Sequence, residues 1–180
     1  MNNTEKPENT NQTTEGDGGT RKNEALYDRF VEKSKALFEL GQEKSEQAWE
    51  KAMEVTREQM AAAGEFSSEQ GEVFKRYLQH DLENTVADMR KMGVAAKDNL
   101  NPSRLGAGAL SSLAKLLHAT GGALMALSEK TEEALLYKAG DITTAGTLTC
   151  TACGHSIQLK QTSNVQACAN CQNTTFRKSY

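Results

Sequence analysis

Along the chain, apolar residues recur every three or four positions from Glu24 to Met92, and the rhythm turns to alternation only near the C-terminus. From Glu24 to about Ala62, the residues Leu26, Phe30, Leu37, Ala48, Ala52 and Val55 fall near one helical face. The stretch is rich in Glu, Lys, Ala, Leu and Met, all strong helix formers. This spacing predicts one long helix, supported by the i,i+3 pairs Glu32–Lys35 and Glu54–Arg57. Gly64 supplies a stop, and Ser67 with Gln70 opens a capping box for a second helix. The apolar face of that second helix is Phe74, Leu78, Leu82, Val86, Met89 and Met92. A short turn between the two makes an antiparallel hairpin over 24–96. At about 1.5 Å per residue the first helix would run roughly 58 Å. That length suits an elongated, coiled-coil-like hairpin, self-associating through its helices. Trp49, the only tryptophan, reads as a packing anchor.

After KDNLNPS the chain is less charged. Asn101 and Pro102 suit the cap and first turn of a third, amphipathic helix within 97–139. Its seam would be Leu110, Leu113, Leu117, Leu124 and Leu127, interrupted by Gly121–Gly122. The run from Gly108 to Leu127 has the length of a membrane span. Lys115, His118 and several Ser, Thr and Gly residues make it too polar for one. Packing against the hairpin is expected, and contact of the 104–128 helix with a membrane surface stays open. Residues 1–23 hold little that a core could bury, so a disordered tail is expected there. Their opening stretch has no apolar segment of the secretory type, which implies a cytoplasmic context.

Composition changes the picture in one respect. The net charge is −3, yet from Thr147 to Tyr180 there are three basic residues, Lys160, Arg177 and Lys178, and no acidic one. The chain therefore reads as modular, with a C-terminal unit of different character over 146–180. That unit holds all four cysteines, in the pattern C-x2-C-x14-C-x2-C at Cys150, Cys153, Cys168 and Cys171. Thiols in a reducing compartment rarely form structural disulfides, and paired C-x2-C turns suit metal ligation. Each turn aims two sulfurs at one cation, and strand pairing brings the turns together. Leu148–Thr149, Ser156–Lys160 and Thr174–Lys178 are the predicted strands, with Ile157, Leu159, Val165 and Phe176 as a small core. Gly154 suits the positive φ of the first turn. The prediction is a zinc ribbon binding one Zn²⁺ per chain, whose metal supplies the stability that so small a core lacks. His155 is expected outside the ligand set, because four thiolates complete a tetrahedron. The fold class expected for the whole chain is mainly α, with a helical hairpin and a third helix before a small β ribbon. The ribbon is expected to fold and to fail independently of the helices.

Gly146-Thr147-Leu148-Thr149-Cys150, Cys153-Gly154-His155, Cys168-x-x-Cys171 and Phe176 resemble a family of uncharacterised bacterial zinc-ribbon proteins. In that family a charged helical region precedes a C-terminal ribbon. The specific likeness covers about the last forty residues, and the helical part matches in character. The family's second turn usually reads Cys-Pro-x-Cys-Gly, whereas Ala169 and Gln172 stand here, so a looser turn with Asn173 in the left-handed conformation is expected. The resemblance implies fold and metal and carries no biochemical activity.

No catalytic constellation emerges. There is no Walker or Rossmann phosphate loop, and the cluster Gly106–Gly108 lacks the flanking strand and lysine. His80 and His118 are isolated, and a closed four-thiolate site leaves no position for an activated water. The expectation is a non-enzymatic interaction or adaptor protein that binds a protein partner, with helices for oligomerisation or partner binding. A nucleic-acid-binding regulator and a rubredoxin-like iron redox protein are the alternatives. Sparse basic charge disfavours the first, and a short inter-pair segment with few aromatic residues disfavours the second.

Overall fold

The computed structural model describes residues 15–92, 113, 116 and 132–180. Among these residues, the helices α1 (Glu15–Leu40), α2 (Glu46–Ala62) and α3 (Ser68–Met92) precede a 3-10 turn at Glu132–Leu135 and six short strands. The strands are β1 (Tyr137–Lys138), β2 (Ile142–Thr143), β3 (Gly146–Cys150), β4 (Ser156–Leu159), β5 (Ser163–Asn164) and β6 (Thr175–Ser179). They form an antiparallel sheet in the order β1-β6-β3-β4 and a separate β2–β5 pair. The mainly α class with a small C-terminal β ribbon is as expected, and the three predicted ribbon strands correspond to β3, β4 and β6.

The long first helix is not continuous. It is two helices, separated at Gly41–Ser45. The Gly41 amide closes α1 on the carbonyls of Leu37 and Phe38, and Lys44 Nζ caps the carbonyls of Phe38, Glu39 and Gly41. Ser45 then starts α2 by accepting from the Ala48 amide at 3.2 Å. The break folds α2 back on α1 and sets Phe38 edge-on to Trp49, with ring centroids 5.6 Å apart. Hydrophobic spacing alone does not reveal it, because the apolar phase resumes on the far side of the turn. Trp49 is buried, as an anchor should be. Helix α1 also begins at Glu15, running through part of the stretch expected to be disordered; residues 1–14 lie outside the described residues.

The stop at Gly64 and the start near Ser67 stand where expected. Gly64 has φ +70, and Ser67 Oγ accepts from the Gln70 amide. The Gln70 side chain, however, bonds Asn23 on α1 instead of closing the box. Phe74, Leu78, Leu82 and Val86 are all buried, in one core with Tyr27, Phe30, Phe38, Trp49 and Met53. Leu113 and Leu116 are helical and buried in that core as well. The rest of the predicted third helix, its cap at Asn101 and its glycine break lie outside the described residues. Among the described residues, no helix is long and apolar enough to cross a membrane.

The sheet is not a separate body hung from the helices. Ile142 of β2 belongs to the helical core. Thr162 bonds Asp28 at 2.6 Å, and the Asn164 amide bonds Glu24 at 2.8 Å, both on α1. At the centre of the contact lies Asp81 of α3, fully buried. Its carboxylate accepts from Tyr27 (2.9 Å), Tyr137 (2.7 Å), Thr143, the Thr144 amide (3.0 Å) and Lys178 Nζ (3.3 Å). Lys178 Nζ also donates to the hydroxyls of Thr143 and Thr144, each at 2.8 Å, and faces the rings of Tyr137 and Tyr180. A buried ion pair needs such surrounding partners to offset its desolvation. Burial by itself would raise the Asp81 carboxyl. Lys178, Thr143, Tyr137 and the Thr144 amide more than offset that and hold it below the ordinary aspartate value. Burial, then the Asp81 charge, pushes both Tyr27 and Tyr137 well above the usual phenol value, which keeps them proton donors.

Lys178, counted with Lys160 and Arg177 in the sparse basic charge of the C-terminal unit, is buried. Strand parity explains the burial. Phe176 points into the ribbon core, so Lys178, two residues on, shares its inward face, while Arg177 between them is exposed. Gly146 makes room for the lysine stem. It sits at φ +151, and a Cβ there would stand 2.7 Å from Lys178 Cε and 3.1 Å from the Ser179 carbonyl.

Candidate metal centre

The four cysteines come from two loops of matching design. In the first, the Cys150 carbonyl accepts from the Gly154 amide (3.0 Å), and the Cys150 amide donates to the His155 carbonyl (2.8 Å). In the second, the Cys168 carbonyl accepts from the Gln172 amide and the Cys168 amide donates to the Asn173 carbonyl, both at 2.8 Å. Each loop places a left-handed residue directly after its second cysteine. In the first that residue is Gly154, at φ +72; in the second it is Gln172, at φ +60. The expectation that Asn173 takes this conformation is therefore wrong by one position, because the matched hydrogen bonds set the turn.

Asn173 has another task. Its side-chain amide reaches across to the first loop, donating to Cys150 Sγ (3.4 Å) and Thr151 Oγ1 (3.1 Å), and back to the Thr175 carbonyl at 2.8 Å. It ties both knuckles to the start of β6. The sequence carries one signal for this role: an asparagine just after a C-x2-C turn is a type that bonds local backbone readily.

All four Sγ atoms lie within 4.8 Å of one another, and the cysteines form no disulfide. Two of the edges are 3.6 Å (Cys150–Cys171) and 3.7 Å (Cys153–Cys168). A tetrahedron with 2.3 Å metal–sulfur bonds has edges of about 3.8 Å, so the set fits a Zn-sized thiolate site. Cys150 and Cys168 are buried and Cys153 and Cys171 exposed, placing the centre at the rim of the ribbon core. Burial would raise the Cys150 thiol, but the amides of Cys153 and Ala152, with Asn173, bring it down to about 6. At Cys171 the Asn173 amide favours the thiolate, yet the neighbouring thiols outweigh it and push the group up to about 12. Four such sulfurs ionise together only around a cation, and a bound metal would supply that charge and cross-link the two loops.

The sequence-predicted ligands all converge. His155 is exposed and does not belong to the cluster. Val165 and Phe176 are buried in the ribbon core, as expected, and Ile157 and Leu159 are half-buried against it. Tyr137, the largest buried side chain of that core, lies outside the stretch predicted to build the ribbon. His80 packs on Tyr137 at 4.3 Å, and its burial lowers its pKa, in keeping with a packing role. His118 lies outside the described residues.

The left-handed backbone at Gln172 costs a non-glycine residue about 1 kcal/mol. Gln172→Gly is therefore expected to raise the thermal midpoint of the metal-bound protein by a few degrees. A lowered midpoint would show that the glutamine side chain contributes more than its backbone costs.

No curated protein and no solved structure matches the chain. The family described as "Zinc-ribbon containing domain" matches it over residues 37–179, a span that takes in α2, α3, Asp81, both knuckles and Lys178, and the chain belongs to that family.

Proposed function

We propose that this is a non-catalytic zinc-ribbon adaptor, carrying one Zn²⁺ per chain in the cytoplasm and recognising a protein partner with its exposed knuckles. The observation that supports this most is the completeness of the ligand set. Four thiolates fill a tetrahedral shell, so the metal would act as a structural cross-link and offer no position to a substrate. Around it Ala152, Gly154, His155, Ala169 and Asn170 are exposed, a small and mostly uncharged surface. The helices would serve self-association or a second partner. Among the described residues, a groove of about 390 Å³ lies between α1 and α2, lined by Leu37, Phe38, Ala48, Ala52 and Val55. Leu40, 83% exposed, lies on α1 just before the turn that bounds it.

Burial of Lys178 weighs further against nucleic acid. From Thr147 onward only Lys160 and Arg177 remain as exposed basic side chains. Two phosphate contacts would give a salt slope of no more than about −2, far below that of a dedicated DNA-binding protein. Generic duplex DNA should therefore bind weakly in gel-shift titrations at low and near-physiological salt. Tight binding with a steep slope would move the protein into the nucleic-acid class. Elemental analysis of purified protein should give about one zinc per chain and no colour; a red, iron-loaded protein would replace this reading with a redox one. The adaptor role itself is tested by affinity capture with the full chain and a variant carrying His155→Ala and Asn170→Ala. A partner held by the native protein and lost by the variant supports it, and capture indifferent to the knuckles overturns it.

A further inference from the structure

Strand β6 is held at both ends by groups of different kinds. At its start, the Thr175 carbonyl accepts from the Thr151 amide (3.1 Å) and from Asn173, whose side chain also touches Cys150. Phe176 pairs in register with Cys150 itself. Further along, Leu148 pairs with Lys178, whose ammonium is sunk beside Asp81 of α3. The two ends are only a few residues apart on one short strand, so the register that the cysteine loops impose on β6 also places Lys178.

The ribbon has little else to hold that register. Its buried core consists of Tyr137, Leu148, Val165, Phe176 and two of the cysteines, too small a set to order a sheet unaided. If the loops part, β6 frays and Lys178 leaves. Asp81 then stays behind in the helical core, fully buried and without its cation, a strongly destabilising state. The same carboxylate holds Tyr27 of α1 at 2.9 Å, and Thr85 caps the Asp81 carbonyl within α3. Loosening around Asp81 is therefore loosening of α1 against α3.

We propose that the Asp81–Lys178 network is a metal-dependent latch: a metal in the four-cysteine site locks α1 and α3 around Asp81, and its loss unlocks them. The latch needs only that a metal occupies the thiolate site, and it stands or falls separately from the adaptor role.

The test is peptide-resolved hydrogen exchange on the full chain, with zinc bound, after removal by excess chelator, and after zinc is returned. Metal removal should speed exchange in Leu78–Val86 on the order of a hundredfold, reversibly, with a smaller change around Trp49 on α2. Unchanged exchange in Leu78–Val86 while β3 and β6 open would overturn the latch. In a protein carrying Asp81→Asn and Lys178→Met, β3 should still respond to zinc, whereas the response of α3 should fall below about fivefold. An α3 response as large as the native one would also overturn it. Lys178→Met alone supplies a second reading. With zinc bound, its α3 should already exchange as fast as in the metal-free native protein, and native-like slow exchange there would refute the proposal.

Discussion

Replacing Cys150 with serine is expected to abolish stoichiometric metal binding and to unfold the sheet β1-β6-β3-β4. Cys150 is buried, pairs with Phe176 across β3–β6, and supplies one of four sulfurs within 4.8 Å of each other. Three thiolates and a hydroxyl make a much weaker site. The apparent binding energy of a structural zinc, about 10–16 kcal/mol in small peptides, is folding energy for a ribbon this size. Metal content by elemental analysis and amide protection in β3, β4 and β6 are the measurements. A Cys150→Ser protein that retained one tightly held zinc and a protected sheet would show that the fold does not depend on the metal. On modularity alone, the helical signal in circular dichroism would survive this change untouched. The half-buried contacts of Asp28 with Thr162 and of Glu24 with Asn164, and the buried one of Asp81 with Thr144, alter that expectation. Thermal melting of the helices should shift downward in the variant, even though their content at room temperature remains substantial.

The second large effect is at Asp81. Asp81→Asn removes the charge opposite Lys178 while keeping the volume, and leaves a fully buried ammonium with neutral partners and no counter-charge. Breaking one side of such a pair costs about 3–5 kcal/mol. For a chain of this length that corresponds to a fall of roughly 6–20 °C in the thermal midpoint. Adding Lys178→Met should recover much of the loss, since an apolar replacement of both charges is often neutral or better. A fall of less than about 2 °C in the single variant would mean that the network contributes little.

The same carboxylate makes the effect depend on pH. Its folded pKa lies below the ordinary aspartate value, so as pH drops the unfolded chain takes up the proton first. The stability it contributes is complete above the unfolded pKa, near 3.8, and disappears as pH falls through the lower folded value. The gap in denaturant midpoint between the native protein and Asp81→Asn should therefore be constant from pH 7 to about 5 and shrink below about 4. A gap that widened on acidification would mean the shift has the opposite sign.

The cysteine pattern by itself determined the metal centre, because ligand type and spacing are local and the chemistry allows few other uses. The positive φ of Gly154, the ends of α2 and α3 near Gly64 and Ser67, and the core face Phe74–Leu78–Leu82–Val86 were legible for the same reason. Each is a short-range preference of the backbone or of helical period. The break at Gly41–Ser45 is written in residues as well, a glycine followed by a capping serine, but the apolar period runs through it and hides it. What sequence could not supply was the pairing of distant charges. Strand parity implies that Lys178 turns inward with Phe176, and helical period puts Asp81 on the face of Phe74 and Leu78. Neither pattern says that the two meet across 97 residues of chain. That is decided by packing the sheet onto α1 and α3, where a buried lysine and a buried aspartate neutralise each other. The ribbon is thus local in its chemistry and tertiary in its attachment.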